Sequence, residues 1–462
     1  MTQPTSNISR LASAPVGRLL WEYSLPGVVG MLVVALYNVV DRMFIGQVVG
    51  PEAIAGLALT FPLMNITTAI GVLVGVGSSA RVSICLGRGD SDGAALILGN
   101  ALTLTLVNAA AYITVFVIWI DPILNAFGAG PATLPYAREY MLWVMPGLLM
   151  TNVAFGFNNL MRASGYPVKA MVTMLIGAVA NVALDSIFVY VFGWGMRGAA
   201  LATDIAMGLS GWFVMQHFCS PRHTLSLRRG TFALRRSVVL GIVSIGAAPS
   251  VVNAASCLIN ALINRTLVAL GGDLAIGAAG IFVTFTSLLV TVTLGICMGL
   301  QPIVGYNYGA GRYDRVRRVF WIAAASATAI SLGGQAIGMS MPEAIARAFT
   351  SDAVLIDSTV RCLRLCLWAF GVVGFQIVAT CLFQSIGAAR SSIFLSLTRQ
   401  VLFLIPLLLW LPGWLGIDGV WLSFPASDVL ATAVTVAMVW HRMRRLGSMP
   451  VECHATRAAA QG

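Results

Sequence analysis

Long uninterrupted runs of apolar residues, each bounded by Gly, Pro or Arg, dominate the chain. A helix needs about 20 apolar residues to cross the hydrocarbon of a bilayer, and the runs are long enough for that. They are continuously apolar rather than alternating, which argues against a membrane β-barrel. The pattern predicts twelve transmembrane helices, near residues 17–40, 53–80, 94–120, 135–157, 168–192, 198–218, 238–264, 275–303, 319–341, 359–384, 391–411 and 418–440.

Composition narrows the class of protein. Of the 462 residues, 58% are hydrophobic and only 10% are charged, and the mean hydropathy is +0.86. Soluble proteins carry about 25% charged residues, so this chain lacks the polar surface that a water-exposed globule needs. We therefore expect an all-α integral membrane protein.

The basic residues set the expected orientation of these helices. The chain has 28 Lys and Arg residues against 17 Asp and Glu, and most of the basic ones fall in alternate connecting segments. Basic residues accumulate on the cytoplasmic side, so an even number of spans with both termini cytoplasmic accounts for the pattern. We expect a multi-pass protein of the bacterial cytoplasmic membrane and interpret the net charge of +11 as topology control rather than nucleic-acid binding.

The second half of the sequence repeats the first. Residues 77–92 resemble residues 299–314, and Asn38 recurs as Asn260, in both cases about 222 positions later. Since each half contains six predicted spans, an even number, both halves enter the membrane from the same side as parallel repeats. The sequence thus predicts two six-helix lobes related by an internal pseudo-two-fold repeat, which favours alternating access over a static pore.

The expected domain boundaries follow from this repeat. They are an N-terminal lobe at 1–218, a cytoplasmic linker at 219–237, a C-terminal lobe at 238–445 and a cytoplasmic tail at 446–462. The linker is the Arg-rich stretch between the sixth and seventh apolar runs. The chain shows no signal-peptide pattern before its first span, so that span is expected to direct insertion.

Acidic side chains lie in or beside the predicted spans, where burying an ionisable group costs at least about 2.5 kcal/mol. Asp185 has apolar sequence on both sides, and Asn181, four residues earlier, shares its helix face. Asp41 ends an apolar run and is either a functional carboxyl or an interfacial partner of Arg42. An amide beside a carboxyl offers oxygen ligands for Na⁺ or hydrogen bonds to a proton-binding group.

Other polar or helix-breaking positions are open to two interpretations. Asp204 in the sixth span is as compatible with function as with structure, whereas a structural role is favoured for Asp428 in the twelfth. Pro26 and Pro249 lie at matching positions in the first span of each half. Proline removes a helical hydrogen bond, so the pair forms either hinges or simple kinks.

Motifs for other chemistries are missing from the sequence. It has no Gly-rich phosphate loop ending in Lys-Ser or Lys-Thr, its four histidines lack metal-ligand spacing, and no nucleophile has a base partner. We therefore predict that the protein is not an enzyme, needs no cofactor and has no obligate protein partner.

Several motifs resemble signatures of the multidrug and toxic compound extrusion (MATE) transporters, in particular the DinF-like and MepA-like bacterial groups. They are residues 36–46 (LYNVVDRMFIG), 162–167 (RASGYP), 181–185 (NVALD), 198–203 (GAALAT) and 301–310 (QPIVGYNYGA). The resemblance extends over about residues 15–445. It implies a V-shaped pair of six-helix lobes that exports organic cations and drugs in exchange for H⁺ or Na⁺.

The resemblance also implies roles for individual residues. The coupling ion, H⁺ or Na⁺, is expected at Asp41, Asn181, Asp185 and Thr203, with Asn158 and Tyr140 nearby and Pro26 as the bend. We add Asn38 and Asp204 to the expected substrate cavity. The branch with an acidic residue in the seventh span is not matched, because that span offers only Asn253, Asn260 and Asn264.

The expected function is therefore secondary active export of drug-like or cationic small molecules. The main alternative is a lipid-linked precursor flippase of the same superfamily, for which a cationic cavity and often additional spans are expected. A membrane-embedded enzyme and a passive channel are further alternatives. A chemically altered product would support the enzyme, and accumulation of substrate against a gradient would exclude the channel.

Overall fold

Helices make up nearly all of the chain in the computed structural model, which describes residues 5–48, 51–131, 133–221 and 223–448 and contains no strand among them. The helices of the first half are α1 (Thr5–Ser13), α2 (Val16–Val48), α3 (Pro51–Gly87), α4 (Ser91–Ala126), α5 (Leu134–Ala163), α6 (Pro167–Asp185) and α7 (Gly195–Cys219). Those of the second half are α8 (Arg236–Gly309), α9 (Tyr313–Ser340), α10 (Pro342–Phe349), α11 (Ala353–Leu367), α12 (Val373–Ser385), α13 (Ala389–Leu397), α14 (Ile405–Trp410), α15 (Pro412–Leu415) and α16 (Ile417–Ser448). Two π-helical segments, Ser186–Val191 and Thr398–Leu404, follow α6 and α13, and a 3₁₀ turn, Phe370–Val372, precedes α12.

These helices account for twelve membrane crossings. Ten of the described helices are long and apolar enough to span a bilayer, and the pair α11–α12, bent by 51°, makes an eleventh. The 74 residues of α8 would extend about 110 Å in a straight helix, more than three times the hydrocarbon thickness, so α8 must cross twice. The all-α, twelve-span fold predicted from the apolar runs is confirmed.

Gly272 is the point at which α8 reverses. Its φ of +59° and ψ of −153° lie in a region that is essentially restricted to glycine. Before this break Gly246 packs against Leu73 of α3, and after it Gly309 packs against Ile84 of the same helix. The two parts of α8 thus lie beside one helix, which a straight α8 could not do.

Replacing Gly272 with Ala should destabilise the fold without removing any side-chain contact. The backbone conformation at this position costs an L-residue about 1–3 kcal/mol. We expect the midpoint of thermal unfolding of the detergent-solubilised protein to fall by a few degrees. The matched control is Gly280→Ala in the same helix, where a Cβ would meet nothing within 4 Å. Equal midpoints for the two variants would show that Gly272 is not needed for the reversal.

Each half of the chain packs around its own core. The N-lobe, α2–α7, buries side chains such as Tyr112, Met141 and Leu160. The C-lobe, α8–α16, buries Leu367 and Trp421, among others. The chain between α7 and α8 is fastened to the N-lobe rather than to the C-lobe, because the Asn100 amide of α4 hydrogen-bonds backbone atoms of this segment, at Thr231, Ala233 and Arg235.

The two lobes meet along a row of glycines near one end of the bundle. We call the end that carries α1 and the turns at 88–90 and 310–312 the basal end, and the other the apical end. The basal seam consists of Gly27, Gly77, Gly87, Gly246, Gly295, Gly299, Gly305 and Gly309. A Cβ added to Gly27 would lie 2.9 Å from the carbonyl oxygen of Gly295 in the other lobe. Among the described residues, the glycines that touch the opposite lobe all lie in the basal half, so the lobes are closed there.

The first span of the N-lobe, α2, contacts both lobes. Its basal part packs against the C-lobe, and the part after Pro26 packs against the N-lobe. In its basal part, Leu20 belongs to a core that includes Leu300 of α8. One turn after Pro26, Gly30 packs against Met174 of α6. Pro26 is buried at this crossover, where a bend in α2 would change the angle between the lobes.

The first span of the C-lobe crosses over in the same way. Ile242, in the basal part of α8, belongs to the core of the N-lobe, whereas Ile259 belongs to that of the C-lobe. Pro249 lies between them. The two prolines that the repeat pairs in sequence therefore occupy equivalent places, each where a span passes from one lobe to the other.

Candidate cation and substrate site

The carboxyl groups of Asp41 and Asp185 face each other inside the N-lobe. Asp185 is the last residue of α6 and is fully buried, at 0% exposure. Asp41 lies in the apical part of α2, and its carboxyl is within hydrogen-bonding reach of Asp185. Neither carboxylate oxygen of Asp185 receives a hydrogen bond from a described residue. Two acceptor groups held this closely repel each other unless a proton or a cation lies between them.

Asn181 and Thr203 add two more oxygen atoms beside this pair. Asn181 lies one turn before Asp185, is fully buried, and donates from Nδ2 to the Thr203 hydroxyl oxygen, 3.2 Å away. This bond joins α6 to α7 and fixes the amide, whose Oδ1 is buried and receives no hydrogen bond from the described residues. The structure thus brings the four expected cation residues together, and oxygen-only ligands suit a hard cation such as Na⁺.

Tyr140 and Asp204 lie on the α5 side of this group. Tyr140 is 3% exposed and interacts electrostatically with Asp41, Asp185 and Asp204. The carboxyl of Asp204 packs against the backbone of Gly147 in α5, and its Oδ1 is buried without a hydrogen-bond donor from the described residues. Three acidic side chains and a phenol therefore share one region of the N-lobe interior.

Asn158 lies on the basal side of the N-lobe interior, away from the acidic group. Its Nδ2 donates to the carbonyl oxygen of Ala170, 2.6 Å away, and so joins α5 to α6. Together with Tyr37 and Met174 it lines a cavity of about 20 Å³, room for a single water molecule. The side chain of Asn38 and that of Arg42, the alternative partner of Asp41, lie outside the described residues.

One charged pair was missed by sequence reasoning. Arg399, in the π-helical segment after α13, lies 2.7 Å from Asp428 of α16, between Nε and Oδ1. Spacing within the twelfth span does not identify these partners of Asp428, because they come from other helices. The available signal was Arg399 itself, an arginine within the eleventh apolar run.

Comparison with known proteins shows the family to which this chain belongs. A family model described as MatE matches residues 26–187 and, a second time, residues 249–410. The chain belongs to the MatE family. The two matches begin at Pro26 and Pro249, so the internal repeat of this MatE chain is the repeat of the family model. The predicted membership of the MATE transporters is confirmed.

Relatives of this MatE protein match over nearly their whole length. A protein named FAD transporter from Shewanella oneidensis is 26% identical over 431 residues, which cover 91% of this chain and 93% of the relative. The multidrug export protein MepA of Staphylococcus aureus (strain NCTC 8325) is 23% identical over 433 residues, which cover 94% of this chain and 95% of the relative. Both relatives carry names of transport proteins rather than of enzymes.

Solved structures share the fold of this MatE protein. An outward-facing multidrug resistance MATE family transporter superposes with a TM-score of 0.89 at 24% identity, covering 95% of this chain and 98% of that one. A transporter of the same superfamily from Pyrococcus furiosus superposes equally well, with a TM-score of 0.89 at 23% identity over 95% of this chain and 98% of its own. These likenesses agree with the two-lobe architecture described above.

Proposed function

We propose that this MatE protein is a secondary active exporter of drug-like small molecules, in which H⁺ or Na⁺ binding between Asp41 and Asp185 is coupled to substrate release. The observation that carries the proposal is the pair of facing carboxyls, in which Asp185 is buried and receives no hydrogen bond from the residues that the structure describes. A proton or a Na⁺ ion satisfies such a pair, and its binding changes the charge of the N-lobe interior.

The same pair explains how the ion could act on the lobes. Asp41 lies on α2, the helix that contacts both lobes, and Asp185 lies on α6 within the N-lobe. Drawing the two carboxyls together around a cation favours one position of α2 over another, and the bend at Pro26 transmits the difference to the C-lobe. A ligand shifts a conformational equilibrium only by its difference in affinity for the two states, and this site offers such a difference.

The remaining parts of the proposal concern location and partners. The basal end is taken as cytoplasmic, with both termini there, in the cytoplasmic membrane of a bacterium, and the lobe boundaries are those expected from the sequence. In this orientation the basal seam closes the described state on its cytoplasmic side. No cofactor, nucleic acid or obligate protein partner is required, and membrane lipids surround the spans.

The name of the S. oneidensis relative favours a second candidate, export of a dinucleotide such as FAD. It shares the cation site and the two-lobe mechanism and differs only in substrate. The lipid-linked precursor flippase is less favoured, since acidic groups dominate the N-lobe interior and the spans number twelve.

Transport in everted membrane vesicles tests the proposed exporter. Ethidium uptake into the vesicles should depend on an imposed gradient of either H⁺ or Na⁺ when the two are varied independently. The ethidium concentration inside the vesicles should rise above the concentration outside. The gradient that drives uptake identifies the coupling ion. Equilibration of ethidium without dependence on either gradient would contradict the proposal and support a channel.

A further inference from the structure

The charged pair in the C-lobe lies in the middle of the membrane and is separate from the cation site. Arg399 follows the basal start of α13 by about ten residues, which corresponds to about 15 Å of helix. The hydrocarbon layer of a bilayer is about 30 Å thick, so the pair lies near its centre. Charged residues at this depth face the bundle interior or a water-filled cavity and mark functional pathways by default.

The surrounding residues hold Asp428 in place and leave Arg399 accessible. The side chain of Asp428 is 4% exposed, whereas that of Arg399 is 32% exposed. The Gln376 amide donates from Nε2 to the backbone carbonyl oxygen of Asp428, 2.6 Å away, and to the Thr432 hydroxyl, so α12 anchors this turn of α16. Among the described residues, none accepts a hydrogen bond from either Nη atom of Arg399.

The unused donors of Arg399 point to a ligand. A guanidinium carries five N–H donors in a planar fork, and its nearest approach to Asp428, between Nε and Oδ1, is an ion pair without a hydrogen bond. The remaining donors match the two oxygens of a carboxylate or phosphate, which arginine binds through two parallel hydrogen bonds. An ion pair that only joins the π-helical segment after α13 to α16 would be more favourable with its guanidinium fully enclosed, since exposed donors within the membrane need a polar partner.

Arg399 lies in a π-helical segment, and a segment of the same kind adjoins the cation site in the other lobe. In the described part of the chain each lobe has one π-helical segment, and both follow the helix that begins the fifth span, Ser186–Val191 after α6 and Thr398–Leu404 after α13. Such segments inside α-helices occur frequently at functional sites. In the N-lobe the segment adjoins Asp185, and in the C-lobe it contains Arg399. The repeat offset of about 222 pairs Arg399 with Gly177 rather than with Asp185, so the two sites lie in the same span of each lobe but at different positions along it.

We propose that Arg399, positioned by Asp428, binds an anionic group, phosphate or carboxylate, of the transported substrate. The proposal rests on the export function proposed above and adds the substrate class, namely molecules that carry such a group. Lipid phosphates lie at the membrane surfaces, whereas Arg399 lies at mid-depth, so the anion belongs to a substrate. FAD carries phosphates, and a relative over nine tenths of the chain is named for it.

Binding of FAD to the purified full-length protein in detergent tests the recognition step without transport. We expect Arg399→Lys, which keeps the charge and the partner of Asp428 but loses the planar fork, to weaken FAD binding about tenfold. The matched control is Arg361→Lys, which alters another Arg–Asp pair of the C-lobe, with Asp418 at the apical end. Absence of FAD binding to the wild-type protein, or equal binding by the wild type and Arg399→Lys, would overturn the proposal.

Transport in vesicles separates substrate recognition from structural support. We expect Arg399→Lys to reduce FAD transport at least tenfold more than ethidium transport. Equal losses for both substrates would mean that the ion pair only supports the fold and would overturn the proposal. Should Arg399→Lys be poorly folded, the double variant Arg399→Gln/Asp428→Asn, which leaves no unpaired charge, should show the same selective loss.

Failure of the export proposal is distinguishable from failure of this one. A wild-type protein that moves neither FAD nor ethidium, yet binds FAD in an Arg399-dependent manner, would refute export and leave the anion site standing. A wild-type protein that exports ethidium and neither binds nor moves FAD would leave export standing and refute the anion site.

Discussion

Replacing Asp185 with Asn should abolish gradient-driven export. The substitution keeps the size of the side chain and removes its charge. The Asp41 carboxyl then no longer faces a second carboxylate, so a proton or Na⁺ is no longer needed to offset their repulsion. Exchange of one H⁺ or Na⁺ for one ethidium cation moves no net charge, so the concentration ratio of the coupling ion, rather than the membrane potential, sets the largest ethidium ratio that the vesicles can reach. We expect this whole accumulation of ethidium in energised everted vesicles to be lost.

The control for this experiment is Asp357→Asn, which removes an exposed carboxyl from α11 in the C-lobe. It should transport as the wild type does. Both proteins should express and unfold at similar temperatures, because neutralising a buried acidic group removes a repulsion rather than a packing contact. Wild-type accumulation by Asp185→Asn would place the coupling site elsewhere and remove the basis of the proposed mechanism.

Much of the cation site could be predicted because its residues obey a local rule. Asn181 and Asp185 are four residues apart, and the helix that joins them follows from continuous apolar sequence, so their common face was predictable. The approach of Asp41 was expected only from the resemblance to MATE transporters. It depends on how α2 packs against α6, which no spacing within either helix determines.

The contact between Arg399 and Asp428 could not be predicted from the sequence. The two residues lie in different spans, and each on its own is an isolated charge in an apolar run. Their 2.7 Å approach depends on the register between α13 and α16. Gln376, from a third helix, completes the arrangement, so three independent packing relations must be known before the site is recognisable.

The basal seam could not be predicted for a related reason. The chain has 47 glycines, and composition does not reveal which of them face another helix. The structure shows that the seam glycines allow backbones of opposite lobes to touch, a packing mode common where helices meet in membranes. The repeat located Pro26 and Pro249, yet only the packing shows that both lie at crossovers between lobes.

The attachments at the basal end indicate which parts move together. The guanidinium of Arg315 in α9 donates to the carbonyl oxygens of Leu11 and Ala14, so the chain that leads into α2 is fastened to the C-lobe. The linker before α8 is fastened to the N-lobe through Asn100. Each first span is thus held at its basal start by the opposite lobe, and bending at its proline is the simplest way to part the lobes.

Replacing Gly246 with Leu should trap the transporter with its basal seam open. Gly246 touches the α3 backbone, and even a Cβ there would lie 2.8 Å from the Cα of Leu73. A leucine excludes the closed seam, whereas each lobe keeps its own core. We expect ethidium transport to fall more than tenfold. A cysteine introduced by Ser83→Cys at the buried seam should become reactive toward a membrane-impermeant maleimide in everted vesicles, with the label mapped to that position by mass spectrometry.

The matched control is Gly280→Leu, which places the same side chain on the same helix where a Cβ meets nothing within 4 Å. It should transport normally and leave the cysteine at position 83 protected. Gly246→Ala should be intermediate in both measurements, because one methyl group strains the seam less than an isobutyl group. If Gly246→Leu transports as the wild type does, close contact between the lobes is not required in the transport cycle. Loss of transport with the cysteine still protected would mean that the leucine acts within one lobe, because a protected position 83 indicates that the seam has closed despite the added side chain.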